Sequence, residues 1–259
     1  MESEDEWDGA VLRGLSPDWA ERVIFFAECG STNDEARRLA LRGAENFKVV
    51  LTEAQRSGRG RRGQRWVCPE GEGLAFSLVV RPECPPVLWS RCALAAGLAV
   101  AEGLEGFGVS AGVKWPNDVW VAGRKICGVL VEADAGFVVV GVGVNVNVRE
   151  FPEDLDFPAT SLVLELGRKV SREEVLVSCL QRLEVRLDQI DGDFEEILTA
   201  WSERCVLTGR VVSMEIGGQQ KTGLVEGISN RGELLLRGEK GVERVLQASA
   251  IRVLGNFEH

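Results

Sequence analysis

Ten residues at 57–66, SGRGRRGQRW, hold three glycines and four arginines. Guanidinium forks meet phosphate or carboxylate oxygens two at a time, and glycines let a chain hinge. On residue type this is a loop that closes over an anion, although an arginine-rich RNA-binding segment or a plain solvated loop has the same composition. Gly58, Gly60 and Gly63 also fit the dinucleotide spacing G-x-G-x-x-G, but that motif opens a helix directly after its glycines. Here QRWVCPEGEG follows, with a proline and two more glycines, and no G-K-[ST] completes a phosphate loop.

Three further stretches carry chemistry-capable residues. KWPND (114–118) places a cation, Lys114, beside Pro116, Asn117 and Asp118, which are also ordinary turn residues. GRKICGVLVE (123–132) sets Arg124 and Lys125 at the border of an apolar strand, where a lysine is otherwise a solvated end. GVGVNVNV (141–148) alternates with period two. One face is Val142, Val144, Val146 and Val148, the core side. The other, Gly141, Gly143, Asn145 and Asn147, has no bulk and ends in amides, as a sheet would if a flat ligand lay against it.

The rest of the inventory narrows the chemistry. The sole histidine is His259 and there is no tyrosine. Histidine-based triads, Cys-His pairs and histidine metal sites are thereby excluded. Catalysis must rest on Lys, Arg, Asp, Asn and backbone groups, an inventory suited to phosphate chemistry, where positioning and charge stabilisation dominate. The seven cysteines stand at 29, 68, 84, 92, 127, 179 and 205 with no C-x-x-C pair, so they read as buried reduced thiols. Forty acidic against 30 basic side chains, a net charge of −10, oppose a general nucleic-acid binder. The start, MESEDEWDGA, is the reverse of a signal peptide, and no segment reaches the roughly 18 apolar residues of a membrane span. The expected compartment is the cytoplasm, without membrane contact.

These residues need elements to place them. Residues 1–21 read as a loose acidic lead-in. Strands are expected at 22–28, 47–55 and 73–82. A helix follows the first strand, with Thr32 and Glu35 as a capping box and Gly43 at its C-terminal end. A long buried helix is expected over 85–104, then a meander of adjacent strands over 109–148. After a connection at 149–170 comes a helix over 171–190, opened by Ser171 with Glu174, and a shorter one. Beyond a boundary near 204–207 the chain breaks into short strands between Gly-rich turns, which suggests a small β-barrel.

In order, STN, then EAQ-x-x-GRGRRG-x-x-W, then KWPND, then RK-x-x-G-x-L-x-E, then G-x-G-x-N-x-N resemble the signature of the biotin–protein ligases, over about 27–148. The resemblance implies an α+β fold: a mixed sheet flanked by helices, like class II tRNA synthetases and lipoate ligases, at 22–205, then an SH3-like β domain at 206–259. It implies a two-step ligase. Biotin and ATP, with Mg2+ accompanying the nucleotide and no permanent protein metal site, give biotinyl-5′-AMP. A lysine of the biotin carboxyl carrier protein then takes the biotinyl group. Ser31, Thr32, Asn33, Gln55, Arg59, Gly60, Arg61, Lys125 and Gly128 would contact biotin. Arg61, Trp66, Lys114, Asn117, Lys125 and Asn145 would contact the nucleotide. Arg61, Lys114, Lys125 and Asp118 would carry the chemistry, Asp118 near the acceptor lysine or the metal.

The resemblance makes the Gly/Arg stretch a lid that orders over the reactive anhydride, at a cost of roughly 1–2 kcal/mol per backbone residue fixed. Two departures stand out. Gln64 occupies a lid position where the family often has arginine. Only thirty residues, acidic ones, precede Ser31, so no helix-turn-helix, no DNA binding and no repressor role are expected. A monomer or a homodimer paired through sheet edges both fit the family. A lipoate–protein ligase, an RNA-binding module and an adenylate-holding sensor are the competing functions.

Overall fold

The computed structural model describes residues 17–255. Residues 1–16 of the expected lead-in lie outside them; residues 17–21 are not loose. They belong to helix α1 (Pro17–Arg22), whose Trp19 is buried with its ring edge-on to Phe47, 6.5 Å between centroids. Burying that indole is what draws the segment onto the body of the protein.

A seven-stranded mixed sheet follows, in the order β1-β2-β3-β7-β6-β5-β4. Its strands are β1 (Val23–Cys29), β2 (Val49–Gln55), β3 (Gly73–Val80), β4 (Ala111–Lys114), β5 (Asp118–Val121), β6 (Arg124–Asp134) and β7 (Phe137–Asn145). Only β1 and β2 pair in parallel, joined by the crossover helix α2 (Thr32–Leu41). Strands β4 to β7 form the expected meander.

Both faces of the sheet are covered, which is why GLAFSLVV in β3 is buried at every residue. Ala36 and Ala40 of α2 pack on one face against Val50, Val79, Phe137 and Val139. Helices α3 (Arg91–Glu105), α5 (Arg172–Asp188) and α6 (Phe194–Arg204) pack on the other with Val138, Val140, Val142 and Val144. The long helix expected over 85–104 splits, because Pro86–Leu88 forms a separate 3-10 turn. In the 149–170 connection lies a short helix, α4 (Leu162–Leu166), capped by Ser161.

The capping box expected at Thr32 does not form, and no side-chain cap bond replaces it. Ser31 is the N-cap, since the Thr32 amide and hydroxyl both point to Gln55 Oε1, at 2.9 and 3.3 Å. Ser171 does cap α5, accepting from Glu174 N at 3.1 Å, while its hydroxyl donates to Glu173. All seven cysteines are free, and burial raises the thiols of Cys68, Cys92 and Cys179 to about 12. No helix among the described residues is long and apolar enough to cross a membrane.

Strands β8 (Val211–Ile216), β9 (Gln219–Ile228), β10 (Leu234–Gly238), β11 (Gly241–Val245) and β12 (Ser249–Val253) form a second, antiparallel sheet, SH3-like in type. It runs β11-β10-β9-β8-β12 and does not close, so the expected barrel is an open sheet. The reason is β11: it is solvent-exposed at four of its five residues and pairs with β10 alone. The sheet joins the main core through Met214, Val225 and Leu234. Trp115 Nε1 donates to Gly232 O across the junction at 3.0 Å.

Candidate functional site

The expected ligand contacts come from separated stretches of chain, yet Ser31–Asn33, Gln55, Arg59–Arg61, Trp66, Lys114, Asn117, Asp118, Lys125, Gly128 and Asn145 all line one cavity of about 690 Å³, which Gly58, Gly63, Arg124 and Asn147 do not reach. This lies in the range of small-molecule sites. It opens over the β7 face that carries Gly141, Gly143 and Asn145, beneath the 57–66 loop. The bare face also makes room for the chain's own side chains. A Cβ at Gly141 would lie 2.1 Å from Asn33 Oδ1, and one at Gly143 would lie 2.3 Å from the Trp66 ring. The flat group resting on the sheet is the chain's own indole, with Gly128 under its edge. Asn145 and Asn147 pin the connection that follows, through Thr160 O and Val170 respectively.

At one end of the cavity the lining side chains Ser31, Thr32, Asn33 and Gln55 are neutral, and a hydrogen-bond network holds the last three from behind. Thr32 bonds Gln55, and Ser77 Oγ lies 2.7 Å from Thr32 Oγ1 and 2.6 Å from Asn33 Oδ1. Asn33 Nδ2 donates to Glu132 Oε2 at 2.6 Å. Ser31, Thr32 and Asn33 are all buried. Such a network holds its donors and acceptors in fixed directions.

The other end collects charge. Lys125 Nζ pairs with Asp118 Oδ1 at 2.8 Å, and Arg61 Nη1 donates to Asn117 Oδ1 at 3.2 Å. Asn117 is held in turn by its amide on Val129 O and by Val129 N on its own carbonyl. Lys114 is buried, with its ammonium 3.6 Å from the Phe157 ring centroid and 4.2 Å from that of Trp120. Burial pushes its pKa down to about 7; Asp118 opposes the shift and Lys125 adds to it. Burial also lowers Arg61, against the pull of Asp118. Three cations thus surround one carboxylate, an arrangement that favours a further anion.

The loop above has a defined path. Gly60 N donates to Gln64 O at 2.7 Å and Trp66 N to Gly58 O at 3.0 Å, with one 3-10 turn at Arg61–Gly63 between. Arg59 turns to Asp34, at 2.7 and 2.8 Å, and Gln64 bonds Asp156 in the connection after β7.

Comparison with known proteins gives the same grouping. Residues 27–148 match the model of the biotin/lipoate A/B protein ligase family, and residues 208–251 that of the biotin protein ligase C terminal domain. A biotin--[acetyl-CoA-carboxylase] ligase of Mycobacterium tuberculosis is 36% identical over 233 residues, covering 87% of this chain and 86% of that protein. One from Paracoccus denitrificans is 34% identical over 242 residues, 87% and 98% covered. The biotin protein ligase of Aquifex aeolicus in complex with biotin and ATP superposes with a TM-score of 0.80 at 32% identity, over 90% of this chain and 99% of that one. The chain belongs to the biotin protein ligase family.

Several residues that line the cavity of this biotin protein ligase, or hold those that do, escaped sequence reasoning. Ser77 interrupts an apolar run, and its period-two position was the signal that could have found it. Glu132 stood inside a quoted motif without an assigned part. Asp34, in the first turn of α2, and Asp156, in the connection after β7, lie outside the expected contacts. Glu215, Ser249 and Arg252, which line the cavity from the second sheet, carried no sequence signal at all.

Proposed function

We propose that this protein joins biotin to ATP and transfers the biotinyl group to a lysine of a biotin carboxyl carrier protein, that of acetyl-CoA carboxylase or a related carboxylase. The observation that carries this is the convergence of five separated motifs on one cavity with a neutral, hydrogen-bonding end and a cationic end. In the first step a biotin carboxylate oxygen bonds to the α-phosphorus and the bond to pyrophosphate breaks. No base is needed, because the nucleophile is already ionised. Arg61, Lys114 and Lys125 offset charge developing on the phosphate oxygens. In the second step the carrier amine attacks the acyl carbon, AMP leaves with the bonding pair, and an amide forms.

Ser31, Thr32, Asn33, Gln55 and Gly128 take the biotin end in this reading, with Arg59 and Gly60 in the lid. Trp66, Asn117 and Asn145 stand on the nucleotide side, and Asp118 lies near the incoming amine. Among the described residues no group of three His, Cys, Asp or Glu is placed to hold an ion. We assign Mg2+ to the phosphates of ATP. The division at 205/206 follows the change from α6 to strands, and the cytoplasm suits a chain with seven free cysteines that uses ATP.

The test mixes the protein with ATP and magnesium, plus biotin or lipoate, and measures pyrophosphate; a carrier domain is then added and weighed by mass spectrometry. Pyrophosphate and a biotinylated carrier with biotin alone are expected. Activity with lipoate and none with biotin overturns the proposal.

A further inference from the structure

In the lid, the Arg59 guanidinium is held by carboxylates and not by the groups around Lys114 and Lys125. Both its Nη1 and Nη2 meet Asp34, at 2.8 and 2.7 Å, in a parallel fork, and Nη2 also approaches Glu132 Oε2 at 3.5 Å. Asp34 sits in the first turn of α2, next to Asn33. Glu132, on β6, accepts from Asn33 Nδ2 at 2.6 Å. One arginine therefore ties the lid to two elements: directly to the helix that carries Thr32 and Asn33, through Asp34, and to β6, through the Glu132 carboxylate that also holds Asn33.

We propose that Asp34 and Glu132 are positioning residues that latch the lid through Arg59. They act on how long the cavity stays covered, not on bond making. The inference rests on the reading that the lid covers an acyl-adenylate.

The physical case is geometric. A single exposed ion pair is worth little, because solvent screens it and long side chains lose entropy in making it. This one is a two-bond fork with a planar donor, which loses less entropy per hydrogen bond formed. Asp34 also lies on a helix N-terminal turn, which favours its charge. The pair is only half-exposed, at 35% for Arg59 and 43% for Asp34. Consistent with mutual stabilisation, hydrogen bonds from Arg59 hold the Asp34 carboxyl below its ordinary range, and those to Asp34 raise Arg59. Glu132 has a second task in orienting Asn33, so Asp34 is the cleaner position to change.

The experiment compares wild type, Asp34→Asn and Asp34→Glu by two measurements. The first is limited trypsin digestion of the protein alone, scored at Arg61, Arg62 and Arg65. Cleavage there requires the lid to open locally. The second is the dissociation rate of biotinyl-5′-AMP from the enzyme, with kcat and KM for biotin taken alongside. Asp34→Asn is expected to raise lid cleavage and adenylate release together by about fivefold, the scale of a well-formed half-exposed ion pair. Its kcat for adenylate formation should stay within about twofold and Asp34→Glu should recover most of the loss, because the chemistry and the charge are both retained. Unchanged cleavage and release in Asp34→Asn overturns the latch. A rise in cleavage without faster release overturns its part in retaining the adenylate. If the wild type forms no adenylate at all, the ligase reading has failed, and the trypsin arm still decides whether the latch exists.

Discussion

The two ends of the cavity are built on opposite electrostatic plans. At the Ser31–Asn33 end nearly every polar atom has a partner inside the protein: Thr32 with Gln55, Ser77 with Asn33, Asn33 with Glu132. At the Lys114–Lys125 end three cations share Asp118, and Lys114 rests on two aromatic rings. A satisfied network selects by shape and hydrogen-bond direction, and is in place before anything binds. An excess of buried positive charge is costly until an anion neutralises it. Changes at the first end should therefore act on affinity, and changes at the second on rate.

The sharpest way to break this comparison is Lys125→Ala. Removing one preorganised cation from a phosphoryl-transfer site is expected to slow adenylate formation by about 10²–10³-fold. Thermal unfolding should shift little, since the lysine stands at a strand start and is 25% exposed. Pyrophosphate release and calorimetry on the same preparation check both halves. Unaltered turnover would return Lys125 to the part of a solvated strand end.

Arg61→Gly comes next. It removes the lid's contact to Asn117, and step one is expected to slow by about tenfold, the scale of a lost charged hydrogen bond. Loosening the lid should also let biotinyl-5′-AMP escape and label lysines on an unrelated protein such as serum albumin. If the variant labels its carrier as selectively as wild type, the lid does not retain the intermediate.

At the neutral end, Thr32→Val keeps the shape and removes the hydroxyl that meets Gln55 and Ser77. We expect KM for biotin to rise by about tenfold, from 1–2 kcal/mol of lost hydrogen bonding, with kcat unchanged. A fall in kcat instead would blur the distinction between the ends.

The smallest change per step is a pH dependence, spread over two pH units. Lys114 has a folded pKa of about 7 against 10.5 ordinarily. Between those values the unfolded chain binds the proton more often than the folded one. Stability should therefore rise with pH from 7 to 9, by at most about 1.4 kcal/mol per unit. Below pH 7 both states hold the proton and this contribution levels off. Urea unfolding at pH 6, 7, 8 and 9 should show the slope in wild type and lose it in Lys114→Met. Phosphate beside Lys114 should restore its proton, so ATP binding at pH 8 should take up about one proton, seen by calorimetry in two buffers.

The sequence alone was enough for the mixed sheet flanked by helices, the β4–β7 meander and the motifs that meet at the cavity. Those rest on local signals: period-two alternation, turn residues and ordered motifs, each readable within about ten positions. It was also enough to exclude histidine chemistry, because that depends on inventory. What it could not supply were facts that depend on which distant surfaces meet. The glycine face of β7 read as a ligand platform, and only the folded chain shows Asn33 and Trp66 filling it. Nothing near Arg59 in the sequence announces its ion pairs to Asp34 and Glu132, 25 and 73 positions away. The second sheet read as a barrel, because strand count and turn spacing do not say whether the end strands meet; β11 and β12 do not. Lys114 read as a strand-end cation. Its buried seat between Trp120 and Phe157, and with it the pKa near neutrality, is a matter of packing, and packing is decided in three dimensions.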